Sequence, residues 1–135
     1  VVGALMLSDG CAAFVAAHAC GEAKQDAALA MIKAALPVIT SINWERVPSR
    51  LEVPEVGRER LAQELSAIAG AVGLPCEAVL TIVQVDGAVP SLGSRLQDWL
   101  VHAEELDFVD TLFLSMEDRV LIHWDFYKSL YAVRF

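Results

Sequence analysis

Basic residues are scarce in this sequence: 10 Lys and Arg stand against 18 Asp and Glu, for a formal net charge of −8. A surface of that sign repels a phosphate backbone and anionic lipid headgroups alike, which excludes nucleic-acid binding as a function class. Cysteine is scarcer still and odd in number, at Cys11, Cys20 and Cys76. At most one disulfide can be built from that set, and the cellular compartment stays open. Long apolar runs are missing too. Asp9 and Gly10 interrupt the apolar start of the chain, and neither Val1 to Leu7 nor Cys11 to Cys20 reaches the roughly 18 residues of a spanning helix. This argues against a membrane anchor. Ala17-His18-Ala19 ahead of Cys20 resembles the end of a secretory leader, but no Lys or Arg precedes it. A buried helix is the reading these first twenty residues support.

Motifs with recognised chemistry are also lacking. No Asp-x-Asp-x-Asp-Gly loop is present for calcium. Cys11, His18 and Cys20 have the residue types of a zinc site, but on one helix Cys11 and His18 lie roughly 10 Å apart and Cys20 points nearly opposite to Cys11. His102-Ala103-Glu104 matches half of the nucleobase deaminase signature. The other half fails, because Pro75-Cys76 lies upstream and Val79 stands where the second Cys is needed. Cys76, just after Pro75 at a possible helix start, is the best candidate nucleophile, with His123 and Asp125 as partners from one strand face. No glycine-rich nucleophile turn surrounds it. No catalytic residue, metal ligand or cofactor is therefore assigned.

What the chain does have is apolar material. At 135 residues, 56% hydrophobic and a mean hydropathy of +0.47, it can bury one core and still leave apolar surface for a partner. Ala28, Ile32, Leu36 and Ile39 recur at helical spacing after Glu22, and Pro37 should end or kink that helix. Pro48 and Pro54 mark a linker from Thr40 to Pro54. Leu61, Leu65, Ile68 and Val72 predict a second helix closed by Gly73. Residues 75–86 stay open between a helix, from Pro75, and a strand, from Val79, Thr81, Ile82, Val83 and Val85. Asp86-Gly87 turns the chain in either case. Leu92, Leu96, Trp99, Leu100 and Leu106 predict a third amphipathic helix.

Seven of the ten aromatics fall in residues 108–135. There the alternation of Val120, Ile122, Trp124 and Phe126 predicts an antiparallel meander near 110–116, 119–126 and 129–135. A terminal helix capped by Ser115 is the competing pattern. The expected fold is one α+β domain over 1–135, mainly helical to about 106 and aromatic β from about 107. An all-α bundle is the alternative.

Negative charge concentrates at Asp98, Glu104, Glu105, Asp107, Asp110, Glu117 and Asp118, and large rigid side chains stand at Trp44, Trp99, Trp124, Tyr127 and Tyr131. Acidic groups steer and select a basic partner, and aromatics anchor interfaces. The expected function is a non-enzymatic interaction protein: an accessory subunit, adaptor, chaperone or inhibitor that can also oligomerise. Its expected contact residues are Trp44, Asp98, Glu104, Glu105, Asp107, Asp110, Trp124, Tyr127 and Tyr131. A small Cys-dependent enzyme is one alternative, and a carrier of an apolar ligand is another.

Gly21-Glu22-Ala23-Lys24, continuing through Ala27-Ala28 to Pro37 and Ile42-Asn43-Trp44, resembles an Ala-rich helix that ends before Ile-Asp-Trp in peridinin-chlorophyll light-harvesting proteins. Asn43 departs from that pattern, and no pigment-binding residue carries over. The resemblance implies a pigment carrier or a light-harvesting or photosystem accessory protein.

Overall fold

Ser8 opens the first helix by accepting the Cys11 N–H on its hydroxyl at 3.3 Å, which satisfies one of the amide donors a helix start leaves free. The computed structural model describes residues 7–38, 41–87, 89–108 and 110–135. Helix α1 (Asp9–His18) turns Cys11, Phe14, Val15 and His18 inward at helical spacing and leaves Ala12, Ala13, Ala16 and Ala17 exposed. The expected buried helix is thus corrected to one that packs on a single face. Alanine on every side hides such a stripe from a hydropathy reading. Among the described residues no helix is long and apolar enough to cross a membrane.

Helix α2 (Glu22–Ala35) stops where proline requires it. Leu36, the residue before Pro37, is extended at φ −124° and ψ 155°, because the proline ring crowds a helical conformation at the preceding position. The expected helix end at Ile39 and linker start at Thr40 lie outside the described residues. The rest of the linker holds a 3-10 turn (Trp44–Arg46) and strand β1 (Leu51–Val53). Helix α3 (Arg58–Val72) buries Leu61, Leu65, Ile68 and Ala69. Gly73 ends it at φ +80°, where Gly73 N–H and Leu74 N–H bond back to Gly70 and Ala69 carbonyls.

The open segment resolves as a turn followed by strand β2 (Val79–Gln84), in keeping with its β-branched residues. Gly87 makes the expected turn at φ +74°. The helix expected from Leu92 to Leu106 is corrected. Leu92–Arg95 is strand β3, paired to β2 from Leu92↔Ile82 to Arg95↔Val79, and only short helices α4 (Leu96–Leu100) and α5 (Ala103–Leu106) follow. Gly93 and Ser94 are weak helix formers, so pairing with β2 decides their conformation.

Strands β4 (Thr111–Ser115), β5 (Val120–Trp124) and β6 (Leu130–Arg134) form the meander within the expected bounds. It is the centre of a larger sheet of order β1-β6-β5-β4-β2-β3, antiparallel throughout. The class is α+β, with five α-helices and six strands among the described residues, and the sheet excludes the all-α alternative. Strands β1, β2 and β3 come from the Ala-rich part of the chain.

Both faces of this sheet are covered. On one, Val120, Ile122 and Trp124 pack with Leu61, Leu65 and Ile68 of α3, Cys11 of α1 and Trp99 of α4. On the other, Leu112, Leu114, Leu121 and Val133 pack with Ala28 and Ile32 of α2 and with Trp44. Two-sided burial explains why β4 and β5 are buried at every position instead of alternating with solvent.

Candidate functional site

His123 is a polar, ring-bearing residue that the second face has to accommodate. It follows Leu121 on that face and is buried. The 3-10 turn brings Trp44 over it, and the indole N–H donates to His123 Nδ1 at 2.8 Å. An imidazole nitrogen that accepts carries no proton, so the hydrogen sits on Nε2 and is donated to Asp110 Oδ1. Trp44 also stacks on Tyr131, with ring centroids 4.9 Å apart and planes 3° from parallel. Burial raises the Tyr131 phenol above its ordinary value, with Asp125 and Glu52 adding to the effect.

Beside this network lies a hollow of about 210 Å³. Leu29, Ile32, Val38, Ile42 and Leu112 make it apolar, while Lys33, Ser41, Asp110 and His123 supply polar groups. Because both ring nitrogens of His123 are engaged, the dyad anchors the Trp44 turn and is not poised as a general base. Cys76 is exposed but lies beyond the start of β2, while His123 pairs near the end of β4 that meets the end of β2. The length of β2, roughly 16 Å at the usual rise per residue, separates them. Asp125 serves a different purpose. Its Oδ1 accepts the N–H groups of Tyr127 and Ser129 at 3.0 and 2.8 Å and so fixes the β5–β6 turn.

The expected contact residues divide into buried and open groups. Trp44 and Trp124 lie in the core, the latter with its indole N–H on the Val56 carbonyl at 2.9 Å. Tyr131 is half-buried under Trp44. Most of the acidic cluster is paired within the chain. Asp98 meets Arg95 at 3.0 Å, Asp107 takes a two-pronged bond from Arg58 at 2.7 Å on each oxygen, and Asp110 holds His123. Glu105 accepts the Ser8 N–H and hydroxyl at 2.7 and 2.8 Å, and those bonds lower its pKa. Glu104 is exposed. Tyr127 is open, at 83% exposure, and beside it Phe126 is 67% exposed.

These two rings pack edge to face with centroids 5.6 Å apart at the tip of the β5–β6 hairpin. No family model, curated protein or solved structure matches this chain. Function therefore rests on the geometry. The next neighbour of the tip is the segment after β1, tied to it by the Val56 N–H on the Lys128 carbonyl at 2.8 Å. Strand β1 is a sheet edge, with Leu51 and Glu52 exposed. A groove of about 290 Å³ runs between it and α3, with Val53, Ala67, Ile68 and Ala71 in its lining and Glu52 and Glu64 alongside. Phe126 was absent from the expected set because its alternation with Trp124 reads as strand interior. The signal for a turn was Asp125 followed by two residues and Lys128-Ser129.

Proposed function

We propose that this chain is a non-enzymatic protein-interaction domain that docks its partner on the Phe126–Tyr127 tip and the adjoining β1 edge. The exposed aromatic pair carries this reading. Two large rings held in water by a turn that Asp125 fixes lose little conformational freedom on binding, which is the economy that makes aromatic residues interface anchors. The open edge of β1 offers backbone donors and acceptors to an extended segment of the partner. Near that edge Glu52 and Glu64 are paired with Arg50 and Arg60, at 3.0 and 3.5 Å, so the backbone edge and the aromatic tip, more than charge, would select the partner. An accessory subunit, adaptor, chaperone or inhibitor would use such a face.

The test is a comparison of the full chain with its F126S/Y127S variant as bait in extract of the source cell, quantified by mass spectrometry. A species retained by the native chain and lost from the variant supports the proposal. Retention of the same species by both contradicts it.

A carrier of a small apolar ligand is the second reading, favoured by the hollow beside His123. At about 210 Å³ it lies below the roughly 300–1,000 Å³ of sites that enclose drug-sized ligands, so it suits a small molecule better than a pigment.

A further inference from the structure

The Cys11 thiol is buried but does not face apolar neighbours alone. His102 and Glu105, one helical turn apart around α5, bring an imidazole and a carboxylate to it. The sulfur, a ring nitrogen and a carboxylate oxygen all lie within 4.8 Å of one another. The group is assembled by the packing of α1 against α5 and is invisible in local sequence. Its members are also held from outside. Ser8 donates its N–H and hydroxyl to the two Glu105 oxygens, and each oxygen keeps a second lone pair. Phe14 packs against the His102 ring at 4.6 Å between centroids, which limits the ring's orientations. Such supporting contacts are what orient ligands around protein-bound metals.

From this geometry we infer that Cys11, His102 and Glu105 form a three-ligand site for a divalent transition metal, zinc above others, with the fourth position left to water. The donor set is one sulfur, one nitrogen and one oxygen, which suits a cation of borderline softness and not the all-oxygen preference of magnesium or calcium. Zinc bonds of 2.0–2.3 Å in a tetrahedron place donors about 3.3–3.7 Å apart, so with every separation within 4.8 Å the side chains close by at most about 1.5 Å on binding. As the sulfur–metal bond forms, the thiol proton leaves to solvent. Without a cation the cluster sets a buried thiol against a carboxylate, and burial followed by the Glu105 charge raises the Cys11 pKa. His18, the other histidine near α1, is not among the three converging groups, and its Nδ1 donates to the Gly93 carbonyl at 2.9 Å.

The untagged full chain, freed of metal with a chelator, is titrated with zinc by calorimetry and with cobalt(II) by absorption spectroscopy. The expected result is one ion per chain and a thiolate-to-cobalt charge-transfer band. The S8A variant binds about 10- to 100-fold more weakly, as loss of an outer contact does, while C11S and H102Q lose more than that. C20S and C76S bind as the native chain does. His102 is half-buried, so H102Q keeps the fold and carries the test if C11S does not fold. Absence of the charge-transfer band, or unchanged binding in H102Q, overturns the inference.

Discussion

The Trp44 indole N–H donates to His123 Nδ1 at 2.8 Å, a buried bond between residues 79 positions apart. It fixes the histidine tautomer and ties the linker to the second face of the sheet. Nitrogen-15 NMR of the imidazole is expected to show hydrogen on Nε2 only. Substitution W44F leaves His123 Nδ1 without its donor and is expected to lower stability by about 1–3 kcal/mol. A resonance pattern with hydrogen on Nδ1 would contradict the arrangement.

Trp124 and Tyr127 are three residues apart and opposite in environment, with exposures of 0% and 83%. Thermal or urea unfolding is expected to show a loss of about 3–5 kcal/mol for W124A, from the lost core volume and the orphaned Val56 carbonyl. Y127S stays within about 0.5 kcal/mol of the native chain, as exposed substitutions do. Comparable losses in the two variants would mean that the tip packs on the fold.

Much of the architecture was legible because local pattern and tertiary context agree. In α3 the apolar stripe, the charged outer face and Gly73 all indicate the same helix, and in the meander the strand bounds follow the alternation of Val120, Ile122 and Trp124. Legibility failed where tertiary pairing overrides spacing. Leu92, Leu96, Trp99 and Leu100 have helical periodicity, yet Gly93 and Ser94 let the first of them join β2 as a strand. Trp44 and Asp110 stood out by residue type, but their meeting at His123 depends on the sheet. Cys11, His102 and Glu105 are likewise joined only by packing.

Glu105 gives the structure a dependence on acid. Its folded-state pKa lies below the ordinary glutamate value, through the Ser8 backbone and hydroxyl bonds. The stabilisation it confers is complete above the ordinary value and is lost as pH falls through the lower folded one. Carbon-13 NMR of the carboxyl in the metal-free chain is expected to show this depressed midpoint and, in metal-free S8A, a rise toward the ordinary value. An identical midpoint in S8A would show that the Ser8 hydroxyl does not support the carboxylate.

The three thiols differ in access: Cys76 is exposed, Cys20 intermediate and Cys11 buried. Alkylation of the metal-free chain near neutral pH is expected to be fast at Cys76 and slowest at Cys11, whose thiol burial also keeps protonated. Peptide mapping against time checks the order. Early modification of Cys11 would contradict the packing of α1.

The docking face is tested most directly by placing a photoreactive phenylalanine analogue at Tyr127, and separately at Val101, an exposed apolar residue on the α4–α5 connection. Irradiation in the source cell is expected to give a discrete cross-linked adduct from position 127 and none from position 101. Adducts of equal yield from both positions, or none from Tyr127, would contradict a partner seated on the aromatic tip.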